Sequence, residues 1–383
     1  MNGLSCDRGG PLTFLFLIGL CFTCTSCGSG PPAAPSQAMG PAPTATLTPV
    51  PANGDWPAAT LDAERLDPAR LGDLVLRIRR GDYGRITSVL IARHGRLAFE
   101  EYFNGWSAEQ PHTMQSVTKS VVSLLTGAAA GAGRLAVTDP VTRFFPGYEP
   151  IANFDGRKAA ITIRDLLTMR TGLNWSEDPY AGSPLERLNN CRCDWIRFIL
   201  DWGTREPPGT RWEYVSGGAI LLGGIVGVAT GTRLDQFAGA QLFDPIGATG
   251  VSWVRGLPDG LPHGGGGLFL RPRDAAKLGQ LVLDQGRWQG RAIVDSRWIQ
   301  ESTQRVDRGL RVWAGHTFDY AYLWWLTSDG LGDIVTASGA RGQWIFVSPR
   351  QQLVVVSTGD NDDSRSTAAV GFLFSHVLPA VME

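Results

Sequence analysis

Lysine is nearly absent from this 383-residue sequence, which has 32 arginines but only three lysines. Arginine keeps its proton inside a protein, whereas a partly buried lysine can lose its proton and act as a base. A chain that otherwise uses arginine therefore has a chemical reason for a lysine. One of the three, Lys119, follows Ser116 by three residues in an apolar-periodic stretch, residues 114–125. Residues three apart share one helical face, so we expect Ser116 to open a helix with Lys119 one turn below it.

Histidine is also scarce, with five residues, although a serine nucleophile needs a base and histidine is the usual one. Four of the five are expected in a hairpin turn, a flexible glycine run, a loop and the final helix: His94, His263, His316 and His376. His112 lies four residues before Ser116 but precedes the helix, so we expect local hydrogen bonding from it rather than catalysis. The folded part also lacks a Gly-x-Ser-x-Gly motif, which argues against the α/β-hydrolase arrangement.

Strong net charge is absent as well. The formal charge is -1 and 19% of residues are charged, so nothing indicates a nucleic-acid partner, and 43% hydrophobic residues suffice for a large core. Only two cysteines, Cys191 and Cys193, lie in the folded part. They could form a strained disulfide, but no second pair or nearby histidine suggests zinc, so we expect a local loop feature. No metal or other cofactor is predicted.

The N-terminal apolar run, residues 12–24, is shorter than the ~20 residues of a membrane-spanning helix, and Arg8 precedes it, as in an export signal. The leader, 1–27, ends in a stretch that resembles a bacterial lipoprotein cleavage site with Cys27 as the lipidated residue. Cys24 replaces the usual aliphatic residue there, so cleavage without lipid stays an alternative. We expect export to the cell envelope or periplasm, with a lipid anchor in the membrane.

The sequence predicts two parts after the leader, a tether and a folded domain. Residues 28–54, rich in Pro, Ala, Thr and Ser, predict a disordered tether before a domain at 55–383. Four strands are predicted as two pairs: 87–93 with 96–103 around His94-Gly95, and 342–347 with 352–357. We therefore expect an α/β fold, an antiparallel sheet flanked by helices and built from both chain ends, about 55–132 and 330–383. A mostly helical subdomain, about 133–329, is inserted between them.

Two further elements follow the Ser116 segment in order, residues 212–218 and 337–344. The first contains Tyr214, and a free tyrosine or lysine side chain titrates at about pH 10. Neither is a ready base alone at neutral pH. Placed together beside Ser116, Lys119 and Tyr214 can exchange one proton and so deprotonate the hydroxyl.

Ser116-x-x-Lys119, Tyr214-x-Ser216 and Ala337-x-Gly339 resemble the three motifs of the serine β-lactamase and penicillin-binding protein superfamily. They are most similar to its class C β-lactamase-related branch of esterases, D-aminopeptidases and 6-aminohexanoate-dimer hydrolases. The similarity covers the chain from about Leu71 to its end and includes five further segments: 139–141, 161–169, 208–210, 243–247 and 342–343.

This resemblance implies a β-lactamase/transpeptidase-like fold and a mechanism. Ser116 would attack an ester or amide carbonyl and become acylated, with Lys119 and Tyr214 sharing general base and acid duty. The backbone N–H groups of Ser116 and Ala340 would hold the oxyanion. Four residues are implied as substrate contacts: Ser216, where many members have Asn, Gly339 of the third motif, Tyr180 in a covering loop, and Trp344.

The third motif departs from the antibiotic-hydrolysing members, which have Lys or His where this chain has Ala337. That cation would bind a substrate carboxylate, so its absence weakens the case for β-lactams and for peptides ending in D-Ala. Arg341 is a candidate to restore the charge, although we favour a solvated arginine at the strand edge.

The sequence thus predicts an exported serine hydrolase that cleaves small esters or amides through an acyl-enzyme on Ser116. One alternative is a β-lactamase or DD-peptidase. A second is an envelope binding protein without turnover, although the combination of Ser116, Lys119 and Tyr214 argues against it. The natural substrate, the choice between ester and amide, and the oligomeric state stay open.

Overall fold

The computed structural model describes residues 45–51 and 56–382. Its strands are β1 Ile86–Arg93, β2 Arg96–Tyr102, β3 His112–Thr113, β4 Ser252–Trp253, β5 Leu268–Leu270, β6 Arg287–Trp288, β7 Arg291–Ala292, β8 Asp307–Trp313, β9 His316–Tyr320, β10 Trp325–Ser328, β11 Asp333–Gly339, β12 Gln343–Ser348 and β13 Leu353–Gly359. Its α-helices are α1 Pro68–Arg80, α2 Val117–Gly131, α3 Gly156–Ala159, α4 Ile163–Leu167, α5 Pro184–Asn190, α6 Trp195–Leu200, α7 Ser216–Thr230, α8 Leu234–Ala238, α9 Pro272–Leu283, α10 Ser296–Ser302, α11 Ala368–Phe372 and α12 Leu378–Ala380.

An antiparallel sheet of eight strands dominates the described residues, in the order β2-β1-β13-β12-β11-β10-β9-β8. The hairpin of β1 and β2 from the first part of the chain thus joins the strands from its end through the pairing of β1 with β13. The central strands β1, β12 and β13 are buried along their whole length, because helices cover the faces of the sheet. The predicted α/β fold with a sheet from both chain ends is confirmed.

The first hairpin follows from its turn residues. His94 and Gly95 have φ angles of 49° and 77°, the left-handed conformation that a tight two-residue turn requires at both central positions. Glycine adopts this conformation without steric cost. The strain at His94 is offset by the pairing of the two flanking strands. The predicted hairpin at His94-Gly95 is confirmed.

The predicted boundary of the helical subdomain at about 330 is too late. Strands β8, β9 and β10 precede that position and belong to the large sheet, and the short strands β4 to β7 also lie within 133–329. Strand β8 is the outermost strand, and its residues are exposed or half-buried. An edge strand of this kind is charged rather than apolar, so it lacks the pattern that identified the central strands.

Part of the predicted tether contacts the domain. The Thr48 N–H donates a hydrogen bond to the buried Glu101 carboxylate at 2.6 Å, and Ala45, Leu47 and Val50 pack against the apolar core. Disorder was therefore the wrong prediction for residues 45–51, because their few apolar side chains find a surface to cover. The rest of the predicted tether and the leader with Cys27 lie outside the described residues.

The loop after α5 contains the two cysteines of the described residues. Cys191 and Cys193 form a disulfide in that loop, as the sequence allowed. Among the described residues no single helix is long and apolar enough to cross a membrane. Ser216–Thr230 and Leu234–Phe243 reach that length and composition only together, with a bend of 77° between them.

Candidate active site

Ser116 stands directly before α2, and Lys119 follows in its first turn. The Lys119 Nζ lies 2.9 Å from the Ser116 Oγ, within hydrogen-bond distance. The Ser116 hydroxyl makes no capping hydrogen bond to the helix among the described residues, so the usual structural role of a serine at this position does not account for it. The lysine is 2% exposed. The structure therefore holds a buried amine against a half-buried hydroxyl.

Two backbone features place Ser116 at the surface of a cavity. Gln115 has a φ of 46°, a left-handed conformation that is strained for a residue with a side chain and turns the chain sharply into α2. The end of β11 packs closely on this turn, because a Cβ atom at Gly339 would lie 2.5 Å from the Met114 carbonyl oxygen. Only glycine permits that approach, which brings Ala340 next to Ser116.

Tyr214 completes the group of three. It lies just before α7, with its ring centroid 4.8 Å from the Lys119 Nζ. The ring stacks on Trp325 at 6.3 Å and packs on Trp212 at 6.2 Å. Among the described residues the phenol oxygen makes no direct hydrogen bond to Ser116 or Lys119, so the amine contacts the face of the ring. The structure brings Ser116, Lys119 and Tyr214 to one site.

The second contact of the Lys119 amine was missed in the sequence. It donates a hydrogen bond of 2.6 Å to the carbonyl oxygen of Gly265, within a run of four glycines. A Cβ atom at Gly264 would lie 2.5 Å from the Ala219 carbonyl oxygen, and one at Gly265 would lie 3.1 Å from the Ser216 carbonyl oxygen. The run is therefore packed on the start of α7, and a flexible segment was the wrong prediction. Four adjacent glycines were the available signal.

His263, at the start of this run, is also buried rather than flexible. Its Nε2 lies 3.0 Å from the Asn189 Oδ1. Burial, followed by the nearby charge of Lys119, lowers the pKa of His263 to about 4. The imidazole is therefore neutral near pH 7 and packs beside the amine without adding a charge to the site.

In the described part of the chain, Ser216 makes its side-chain hydrogen bond to Glu177 and none to Lys119. Its hydroxyl donates to the Glu177 Oε2 at 2.8 Å and its N–H donates to the Glu177 Oε1 at 2.5 Å. The Trp175 indole N–H donates to the same Oε1 at 2.7 Å. Glu177 thus ties the first residue of α7 to the loop before α5. Sequence analysis missed this carboxylate, which has no characteristic spacing to Ser216.

The two residues predicted to bind an oxyanion through their backbone N–H groups line the same cavity. Ser116 and Ala340 both line a cavity of about 320 Å³, and among the described residues no loop or turn carbonyl accepts a hydrogen bond from either N–H. Two N–H groups that converge on one cavity can stabilise a developing oxyanion. Four aromatic side chains line the same cavity: Tyr214, Trp313, Trp325 and Trp344.

The predicted substrate contacts divide into two groups. Gly339 and Trp344 line the cavity, and the Trp344 indole is held by a hydrogen bond of 2.9 Å to the Ser366 carbonyl. Tyr180 is not among the residues that line it; the tyrosine is 50% exposed and its hydroxyl accepts a hydrogen bond from Asn189. The Ser216 hydroxyl is already hydrogen-bonded to Glu177. Trp313 lines the cavity and was not singled out from the sequence.

The third motif supplies no free cation. Ala337 is buried, and the Arg341 side chain forms an ion pair with Asp360. The favoured interpretation of Arg341 as an exposed strand-edge arginine agrees with this pairing, because its charge is already balanced by a carboxylate.

His112 has the local role expected of it. The ring is buried, its Nε2 lies 3.0 Å from the Thr87 Oγ1, and it stacks on Trp106 at 4.1 Å. Burial lowers the pKa of His112 to about 4. Among the described residues no group of three or more His, Cys, Asp or Glu side chains could hold a metal ion.

Comparison with known proteins identifies the class to which this fold and site belong. The family description "Beta-lactamase" matches residues 80–368, and the chain belongs to this family. It is 25% identical over 339 residues to a 6-aminohexanoate-dimer hydrolase of Paenarthrobacter ureafaciens, covering 82% of each chain. It is 32% identical over 225 residues to esterase EstB of Burkholderia gladioli, covering 54% of this chain and 56% of the esterase.

Solved structures show the same fold. A 6-aminohexanoate-dimer hydrolase homologue from Bacillus anthracis superposes with a TM-score of 0.68 at 19% identity, over 86% of this chain and 89% of that one. EstCE1, described as a hydrolase with promiscuous acyltransferase activity, superposes with a TM-score of 0.67 at 18% identity, over 82% and 98%. The chain is therefore a β-lactamase-fold hydrolase related to esterases and to 6-aminohexanoate-dimer hydrolases.

Proposed function

We propose that this protein is a serine hydrolase that cleaves small esters or amides through an acyl-enzyme on Ser116. The observation that carries the proposal is the contact between the Lys119 Nζ and the Ser116 Oγ, 2.9 Å apart at the edge of a cavity. No carboxylate of the described residues forms an ion pair with this lysine. The amine is thus placed to take a proton from the hydroxyl.

The reaction follows from these positions. Lys119, adjacent to the Tyr214 ring, removes the Ser116 proton while the oxygen attacks the carbonyl carbon. The N–H groups of Ser116 and Ala340 stabilise the oxyanion, and losing one such donor costs about 3 to 4 kcal/mol of barrier. Tyr214, which lines the cavity, then donates a proton to the leaving alcohol or amine and recovers one from Lys119. Water then takes the place of the leaving group: it gives a proton to the same base and attacks the acyl carbonyl, and the Ser116 oxygen leaves with a proton, which releases the acid.

We propose esters and small amides rather than β-lactams as substrates because the third motif lacks a free cation. Ala337 supplies no cation at the third motif, and Arg341 is paired with Asp360. The named activities of the relatives, an esterase and a dimer hydrolase, support the same choice. A β-lactamase of Escherichia coli is also similar, at 23% identity over 209 residues, so a β-lactam belongs in the test.

The test compares the parent with Ser116→Ala on a p-nitrophenyl ester, an anilide and nitrocefin. We expect ester or anilide turnover in the parent and at least a hundredfold loss in the variant. Ser107→Ala, which removes an exposed serine of a loop, serves as the matched control. Turnover of nitrocefin at an ester-like rate, or stable labelling by penicillin, would favour the β-lactamase or DD-peptidase alternative. No turnover in the parent would favour a binding protein.

We also propose export and lipid attachment at Cys27. The support comes from the leader alone, an apolar run after Arg8 that ends at Cys24-Thr-Ser-Cys27. The lipid would hold the domain at a membrane surface through the segment before residue 45. Metabolic labelling with a radioactive fatty acid tests this: we expect label in the parent membrane fraction and none in Cys27→Ser. Release of unlabelled parent protein would support cleavage without lipid.

A further inference from the structure

The cavity at Ser116 carries two opposite charges that form no ion pair with any described residue. Arg311, in β8, and Asp363, in the short turn after β13, both line it and both are exposed. Within 45–51 and 56–382, neither side chain makes a hydrogen bond or an ion pair, and they do not pair with each other. Neighbouring arginines differ in this respect: Arg341 pairs with Asp360, and Arg305 pairs with Asp319 and Asp333.

Arg311 is close to the proposed chemistry. Its guanidinium carbon lies 5.8 Å from the centroid of the Trp212 ring, and Trp212 in turn packs on Tyr214 at 6.2 Å and on Trp325 at 5.8 Å. A guanidinium over an aromatic face still has its N–H groups free at the edge for an anion. The positive charge therefore lies on the same aromatic wall as the predicted general acid.

We propose that Arg311 binds a substrate carboxylate, so that the enzyme prefers esters or amides that carry a carboxylate at the far end of a short apolar spacer. This inference rests on the proposed function of Ser116. Guanidinium and carboxylate form paired charge-assisted hydrogen bonds. The spacer fits between the carboxylate and the scissile carbonyl, against Trp313 and Trp325, which lie edge to face at 4.7 Å. Arg311 lies outside the third motif, so the carboxylate that it binds is not the one that a cation at the position of Ala337 would bind.

Asp363 sharpens this selectivity. A carboxylate in the cavity is attracted by Arg311 and repelled by Asp363. Asp363 therefore disfavours binding poses that place the substrate carboxylate near it. Both side chains are exposed and salt screens exposed charges, so the preference weakens as ionic strength rises.

The experiment uses two pairs of matched esters. One pair is the mono-p-nitrophenyl ester of adipic acid with p-nitrophenyl hexanoate, which places the carboxylate in the acyl part. The other is the hexanoate ester of p-hydroxybenzoic acid with that of its methyl ester, which places it in the leaving group. For each pair the kcat/KM of the anionic ester is divided by that of the neutral ester. We expect Arg311→Gln to lower this ratio about tenfold in at least one pair, which is about 1.4 kcal/mol.

Three further variants make the test specific. Arg311→Lys should restore part of the ratio, and Asp363→Asn should raise it. Arg308→Gln removes the same charge from an exposed position on the same strand and should leave it unchanged. An unchanged ratio in Arg311→Gln for both pairs, or an equal drop in Arg308→Gln, overturns the inference while Ser116-dependent turnover upholds the proposed function. Absence of Ser116-dependent turnover of all four esters overturns both.

Discussion

The Lys119 amine is held by the backbone carbonyl of Gly265, 146 residues further along the chain, at 2.6 Å. The carbonyl fixes the direction of the amine toward Ser116 without adding a negative charge that would hold a proton on it. The carbonyl is in turn fixed by the packing of the glycine run on the start of α7. Geometry at the proposed base thus depends on a backbone contact between two distant segments.

Gly265→Ala should lower activity through this contact. The added Cβ would lie 3.1 Å from the Ser216 carbonyl oxygen, so the glycine run and the start of α7 must move apart by a few tenths of an ångström, which displaces the Gly265 carbonyl from Lys119. We expect kcat to fall about tenfold or more, since small displacements of a catalytic group are costly. Gly266→Ala is the matched control, because its Cβ finds no atom closer than 3.8 Å. Steady-state kinetics that cannot separate the two variants would argue against this role.

Lys119→Arg tests the need for an amine that can lose its proton. Arginine keeps the charge and most of the length but cannot act as a base, so we expect kcat to fall by at least a hundredfold. Tyr214→Phe keeps the ring that contacts Lys119 and should also lose between about a hundredfold and ten thousandfold. Melting temperatures near that of the parent would show that both variants fold. Activity near the parent level in Lys119→Arg would exclude lysine as the base.

Glu177 and Ser216 should behave as one unit. Ser216 makes both its side-chain and its backbone hydrogen bond to Glu177. Removal of the Ser216 hydroxyl or of the Glu177 carboxylate therefore weakens the attachment of the start of α7. We expect Ser216→Ala and Glu177→Gln each to lower kcat/KM modestly, and the double variant to lose much less than the sum of the two free-energy changes. A double-mutant cycle measures this. Simple additivity would show that Ser216 acts on the substrate or on Lys119 independently of Glu177.

Stability should fall in mild acid because of two buried histidines. Burial lowers the pKa values of His112 and His263 to about 4, whereas an unfolded histidine titrates at about 6.5. The unfolded state therefore binds more protons between these values. Each neutral imidazole makes its full contribution to the free energy of unfolding above about pH 6.5. As the pH falls toward 4, each ring loses up to about 3 kcal/mol of this contribution.

Melting temperatures between pH 7 and pH 4.5 measure this loss. We expect a continuous fall in the parent and a shallower one in His112→Gln, which removes one of the two groups. Equal melting temperatures across the range, or an equally steep fall in the variant, would contradict the assignment of the loss to these rings.

Sequence reasoning succeeded where the signal is local. The hairpin at His94-Gly95 has a characteristic turn, and the spacing of Ser116 and Lys119 places the lysine in the first turn of α2, directly after the serine. Tyr214 was predicted as a site residue from its motif and from the family resemblance, and the structure places its ring beside Lys119.

The features that were missed share a physical cause. The contact of Lys119 with Gly265 uses a backbone carbonyl, which every residue has, so no side chain marks it in the sequence. A glycine run indicates flexibility or close packing equally well until its neighbours are known. Likewise β8 is an exposed edge strand, and a role for Arg311 becomes visible only in the cavity that it lines together with Trp313 and Trp325.

The central claim is that Ser116 becomes covalently acylated, and intact-protein mass spectrometry tests it most directly. The parent is mixed with a p-nitrophenyl ester and quenched in acid within the first turnover, and the adduct is located by peptide mapping. The account predicts one added acyl group on the peptide that contains Ser116, and none in Ser116→Ala. An adduct that persists in Ser116→Ala, or turnover by the parent with an adduct on another residue, would contradict it.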